Sequence, residues 1–248
     1  MRLARVLGGA LAASQVAYGL RRGAVPTAAT RALLVLMLAT ALAEAVQARG
    51  RRGAAVLAAA GGTGFAVEVV GVATGRPFGH YSYSERLGPR IGGVPLLAGA
   101  AWAVMARPAW VVAGLLVPRR ALRVPLAAGA LTAWDVFLDP RMARDGYWTW
   151  PAGGAYEGIP ASNFAGWLAT GLAAFALVAL LDGDDDPRAT GDGALALYTW
   201  TWAGEAFANA VLWRRPVTAA AGTAAMGAFA VPALVRRLSA HSRYRARI

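Results

Sequence analysis

Apolar runs of roughly 17 to 25 residues, the length a helix needs to cross a bilayer, follow one another along this chain and leave it few ways to fold. They fall near 4–20, 27–47, 54–74, 93–117, 121–138, 163–181, 193–212 and 217–235. In lipid each segment has to satisfy its own backbone N–H and C=O groups, which helices do and open sheets do not. The fold class expected is therefore all-α: a polytopic integral membrane helical bundle of eight transmembrane helices, with seven as the alternative, forming a single transmembrane domain over 1–248. The fourth run holds Arg107 and Pro108, so it is either a kinked span or a shorter one with a re-entrant piece. Parity, and with it topology, depends on that run.

Composition agrees, with 57% hydrophobic and 15% charged residues. All 25 basic residues are arginine and the formal net charge is +12. Arginine pairs such as Arg21 and Arg22, Arg51 and Arg52, Arg119 and Arg120, and Arg214 and Arg215 fall between apolar runs, as headgroup anchors do, so nucleic acid is not the expected partner. The expected location is the cell membrane, multi-pass, with the lipid bilayer as surroundings. Eight spans put both termini on one side with 14 arginines against 10 opposite, which favours cytoplasmic termini by a thin margin. The acidic patch at 182–187 is expected to be a solvated loop. The chain has no cysteine, so thiolate chemistry is excluded.

Chemistry has to come from the exceptions, and two stretches hold most of them. The first is G-V-A-T-G-R-P-F-G-H-Y-S-Y at 71–83, with Glu68 one turn upstream; the second runs from 134 to 167. Gly61, Gly64, Glu68, Gly71 and Gly75 are spaced by three and four and share one helix face. Such a face either packs another helix, with Glu68 paired to an arginine, or lets something long and flat approach a single carboxyl group. An ionisable group inside a span costs about 2.5 to 3.5 kcal/mol on insertion scales and is a functional candidate by default.

Asp135 and Asp139 are four apart and project from one face. Two like charges that close in a low dielectric cannot both ionise cheaply, so one is expected to hold its proton, which is how a carboxylic acid becomes a general acid. The alternative is that Asp139 ends the helix before Pro140 while Asp135 pairs with Arg141 or Arg144. Glu205, with Asn209 one turn later, is a weaker candidate or a polar bridge between helices. Phe78, Tyr81 and Tyr83 in the first stretch, and Trp134, Tyr147, Trp148, Trp150, Tyr156 and Trp167 in the second, are dense enough to line a pocket. Ser162 and Asn163 read as caps of the sixth span, with Asn163 also a candidate substrate contact. His80 is a lone loop histidine, and His241 belongs to a basic tail and has no assigned role. There is no phosphate-cradling glycine loop, no histidine pair at metal spacing and no nucleophile elbow.

Four segments carry a resemblance: E-V-V-G-V-A-T-G-R-P-F-G-H-Y-S-Y (68–83), L-G-P-R-I-G-G-V-P-L-L (87–97), W-D-V-F-L-D-P (134–140) and Y-W-T-W-P-A-G-G-A-Y-E-G-I-P-A-S-N-F-A-G-W (147–167). Together they resemble the membrane carotenoid hydratases, of the bisanhydrobacterioruberin hydratase and carotenoid 1,2-hydratase type, over about 100 residues. The resemblance implies addition of water to the terminal double bond of a linear carotenoid, a carotenoid substrate with water as partners, and other membrane enzymes of the same pathway nearby. The residues suit that chemistry without a metal or redox cofactor. A neutral carboxylic acid protonates the less substituted carbon, a second carboxylate orients and deprotonates water, and aromatic faces stabilise the tertiary cation.

Glu68, Asp135 and Asp139 are the expected catalytic residues, with Glu68 meeting the alkene as acid and Asp135 or Asp139 holding the water. The loops at 75–92 and 139–162 are expected on one side of the bundle, covering a long apolar groove lined by Gly64, Gly71 and the aromatics. Two alternatives stay open: another isoprenoid enzyme, a prenyltransferase or cyclase, for which Asp135 to Asp139 superficially supplies a D-x-x-x-D motif, and a proton-coupled transporter.

Overall fold

The computed structural model describes residues 2–21, 25–183 and 186–245. Its helices are α1 (Arg2–Gly19), α2 (Thr27–Arg49), α3 (Arg51–Thr74), α4 (Leu96–Val104), α5 (Ala106–Leu116), α6 (Arg120–Arg144), α7 (Ala161–Leu181), the short α8 (Pro187–Thr190), α9 (Asp192–Phe207) and α10 (Pro216–Arg245). Among the described residues, six segments are long and apolar enough to span a bilayer: α2, α3, the α4–α5 pair, α6, α7 and α10. The other two expected spans are also helical. α1 packs on α2, and α9 packs on α10 and is extended by a π-helical turn at Ala208–Leu212. The chain is thus an all-α helical membrane protein.

The fourth run is a kinked span. α4 and α5 meet at Met105 (φ −97, ψ −2), just ahead of Pro108. A proline in a helix supplies no N–H and its ring clashes with the carbonyl four residues back, so the break falls there. This pair forms the centre of the bundle: 78% of its span-length window is buried, against 33 to 50% in the other five. The arginine it carries into the interior is matched. Arg107 Nε donates to Glu44 Oε2 on α2 at 2.9 Å, and Nη2 to the Thr190 carbonyl at 2.8 Å.

One alternative and one expectation fail at helix ends. α6 does not stop at Asp139 but continues through Pro140 to Arg144. The lost hydrogen bond is replaced from outside: the carbonyl of Val136, which residue 140 would have served, accepts the Tyr156 hydroxyl at 2.9 Å. At 182–187 the acids are not all solvated. Asp182 is fully buried; its Oδ2 accepts the Trp110 indole N–H at 2.8 Å, and Arg49 lies 3.6 Å from Oδ1. An acid that ends α7 against a buried indole and an arginine is held by partners that lie far off in sequence. Asp186 is exposed, while Asp184, Asp185, Arg22 and the side chain of His241 lie outside the described residues.

Both chemistry-bearing loops lie at one end of the bundle, because they hydrogen-bond to each other. β1 (Ser82–Tyr83) pairs antiparallel with β4 (Trp148–Thr149), and Ser84 N–H continues the ladder to Tyr147 O at 2.8 Å. A second hairpin, β2 (Arg90–Ile91) with β3 (Val94–Pro95), turns through Gly92 and Gly93, whose φ values of 57 and 80 are those a two-residue hairpin turn demands. The α1–α2 corner ties into the same end. The Tyr147 hydroxyl donates to Thr30 Oγ1 at 2.7 Å, and Tyr18 Oη lies 3.0 Å from the same atom. Thr30→Val strands both phenols and should lower stability by about 1 to 3 kcal/mol, read as an earlier thermal transition in detergent.

Candidate active site

The glycine spacing on α3 brings Glu68 to a buried face, and three aromatic donors meet its carboxylate there. Oε2 accepts the hydroxyls of Tyr81 and of Tyr83, the latter at 2.9 Å; Oε1 accepts the Trp102 indole N–H at 3.2 Å. No arginine pairs with it among the described residues, so the packing alternative with an ion pair is not what the fold builds. Burial first, and the neighbouring Glu68 carboxylate second, raise both phenols above their ordinary range, so they remain donors.

The second acid centre comes from α6 and α7. Asn163 Nδ2 donates to Asp135 Oδ2 at 2.9 Å and also to Asp139 Oδ2, while Asp139 Oδ1 accepts the Trp148 indole N–H at 3.1 Å. Asn163 is therefore not a helix cap: the N-cap of α7 is Pro160, and no side chain caps the helix there among the described residues. Nor does Asp135 pair with an arginine among the described residues. Arg141 goes instead to Asp145, 2.6 Å away, and over the ring of Trp213.

Both centres open on one cavity of about 30 Å³. Of the residues expected from sequence, Glu68, Asp139, Asn163, Phe78, Tyr81 and Tyr83 line it, as do Trp148, Trp150 and Trp167. Asp135 stands behind Asp139, reached through Asn163. Trp134 supports Trp167 edge-on from outside the lining, Tyr147 turns away to Thr30, and Tyr156 turns away to Val136.

Gly64 and Gly71 play a different part from the one expected. A Cβ at Gly64 would lie 2.1 Å from Cγ of Trp102, and one at Gly71 would lie 2.8 Å from the Phe78 ring. At these two glycines the face is filled by the protein's own aromatics, so among the described residues no open groove runs past them, and the cavity has room for about two waters. The aromatic lining residue that sequence reasoning missed is Trp102, which stacks on Trp167 with ring centroids 3.9 Å apart. Its only trace in the sequence is a glycine at 64 whose aromatic partner lies 38 positions on. Leu34, Leu97, Ala98 and Ala101 complete an apolar wall from α2 and α4.

Glu205 is set apart from this cavity. Asn209 Nδ2 binds its carbonyl at 2.9 Å and its Oε2 at 3.2 Å within the same helical stretch. His80 lies against Gly75 at the end of α3 and does not line the cavity. No three His, Cys, Asp or Glu side chains converge as metal ligands among the described residues.

A helical membrane protein with two buried acid centres in an aromatic cavity is the class that fold and site define. Residues 29–229 match the family model described as carotenoid biosynthesis protein, and the chain belongs to that family. It is similar to the bisanhydrobacterioruberin hydratase of Haloarcula japonica, 32% identical over 118 residues that make up 46% of this chain and 40% of that protein. The match thus spans about two fifths of the length of that relative. No solved structure matches the chain.

Proposed function

We propose that this protein is a carotenoid hydratase, multi-pass in the cell membrane, that adds water across the terminal C=C of a linear carotenoid to give a tertiary alcohol. The substrate is a C50 end group of bisanhydrobacterioruberin type or one of lycopene or γ-carotene type. One observation carries the reading: Glu68 from α3 and Asp139 from α6, each held by aromatic N–H or O–H donors, face one cavity walled by indoles. The name of the Haloarcula relative supports the same chemistry.

In this scheme the end group enters from lipid past the apolar wall of Leu34, Leu97 and Ala101 and parts the aromatic walls. Glu68 in its acid form protonates the less substituted carbon. Ring faces of Trp148 and Trp167 stabilise the tertiary cation, and Asp139 takes a proton from the water that attacks it. One π bond is thereby replaced by a C–H and a C–O bond, and one water is consumed. The proton returns from Asp139 to Glu68 across the cavity that both line, by way of water and of Tyr81 and Tyr83, which bind Glu68. An insoluble polyene has to be handed over by the enzyme that made it, so another membrane enzyme of the pathway is a proposed partner.

Expression in a host that accumulates lycopene or bisanhydrobacterioruberin should add one or two waters to the carotenoid by mass spectrometry; an unchanged carotenoid pool in both hosts would overturn the reading. Tyr83→Phe removes one donor to Glu68 and interrupts the proton return, so hydration should fall about tenfold with the chain still folded. Hydration should also survive EDTA, whereas Mg-dependent prenyl transfer would not.

A further inference from the structure

A polar cluster that this scheme does not use lies next to Asp135. Asp135 is fully buried and does not line the cavity; its carboxyl has Asn163 and the Asp139 carboxyl as hydrogen-bond partners, and no protein N–H reaches its Oδ1. Tyr156 bonds the carbonyl of the next residue, Val136. Burial pushes the Tyr156 phenol up to about 12, and the Thr218 hydroxyl, Glu157, Arg215 and Asp135 are all near enough to act on it. Arg215, 5% exposed, gives Nη2 to the Pro140 carbonyl at 3.1 Å and to Glu157 Oε2 at 3.0 Å, yet its Nε and Nη1 have no acceptor. The backbone carbonyl of Asn209 takes the Arg215 N–H at 2.7 Å, and the buried Oδ1 of the same asparagine has no donor.

Buried polar atoms without partners are rare, and several in one neighbourhood mark a place that water occupies, since a buried water makes about three hydrogen bonds to such groups. The cluster also reaches the surface. Glu157 leaves 22% of its side chain exposed at the loop end of the bundle, over Arg215. The cavity itself is walled by indole and phenol rings, so a seated end group would close it to water from that direction.

We propose that Glu157, Arg215, Tyr156 and Thr218 form a water entry, separate from the lipid side, that supplies Asp135 and Asp139 with the water consumed in each turnover. The inference rests on the hydratase reading. One water passes inward per product: its oxygen goes to the tertiary carbon with one hydrogen, and its other proton goes to Asp139 and from there to Glu68, replacing the one that Glu68 gave to the alkene. No net proton crosses the entry. Thr218 is a positioning residue here, acting through water.

The chain has no cysteine, so a single introduced thiol reports its own access to water. Thr218→Cys in native membranes should react with a charged methanethiosulfonate far faster than Ala230→Cys, which is equally buried deeper in α10. Thr218→Val should lower turnover about tenfold, and Thr218→Ser should restore it. Equal labelling of the two cysteine variants would overturn the proposal, and so would strong labelling of Thr218→Cys together with full turnover in Thr218→Val. Failure of the hydratase reading is distinguishable, because the unsubstituted chain would then form no alcohol whatever the labelling shows.

Discussion

Replacing Glu68 by glutamine should lower carotenoid hydration by about 10²- to 10⁴-fold, the range general acid catalysis supplies, while the protein still inserts and folds. Glutamine keeps the shape of the side chain, and its carbonyl oxygen still accepts from the Trp102 indole that binds Oε1. Its amide can no longer deliver a proton to an alkene. Asp139→Asn should cost a similar factor, because Asp139 is the member of the second acid centre that lines the cavity. Asp135→Asn should cost less, because Asp135 reaches the cavity only through Asn163 and Asp139. Asp145→Asn is the matched control: this acid is 28% exposed and pairs with Arg141 outside the cavity, so turnover should stay near that of the unsubstituted chain. Product formation in membranes normalised to folded protein would measure all four. Near-normal hydration in both Glu68→Gln and Asp139→Asn would remove these acids from the chemistry, with Glu205 the next to test.

The second large effect is on folding. Gly64→Ala places a methyl 2.1 Å from Cγ of Trp102, a ring that has little freedom to retreat. Trp102 is stacked on Trp167 at 3.9 Å and hydrogen-bonded to Glu68. Overpacking of a core costs about 1 to 3 kcal/mol, and moving the indole also strips Glu68 of a buried partner, worth about 1 to 3 kcal/mol more. Gly64→Ala should therefore melt well below the unsubstituted protein in detergent. Gly62→Ala on the same helix meets nothing within 4 Å and should be neutral, or gain up to about 1 kcal/mol from helix propensity. A Gly64 variant as stable as the Gly62 variant would mean that the Trp102 ring does not sit where the fold puts it.

That pair of glycines shows how far the sequence could be read. The three-and-four spacing on α3 locates a special face and puts Glu68 on it. Whether the face admits a substrate or a side chain depends on Trp102, which belongs to another helix and is fixed only by tertiary packing. The spacing of Asp135 and Asp139 likewise says that two carboxyls share a face, and it cannot say that Asn163 bridges them. That residue has the local signature of a cap, and only the α6–α7 contact turns it inward. Pro140 reads as a helix stop because its missing hydrogen bond counts against continuation; the Tyr156 hydroxyl that compensates sits 16 residues on, in a loop. Asp182 misleads for the same reason, since its partners Arg49 and Trp110 are distant in sequence. Apolar runs, being local, marked the helical segments, and Pro108 marked the interruption in the fourth.

In the proposed reaction water itself is added across the double bond. Purified protein in lipid, given a linear carotenoid in heavy-oxygen water under argon, tests it most directly by mass spectrometry of the product. A tertiary alcohol carrying the heavy oxygen, formed without dioxygen or added metal and lost in Glu68→Gln, is the result expected. No alcohol, or an alcohol whose oxygen is unlabelled, would contradict the account.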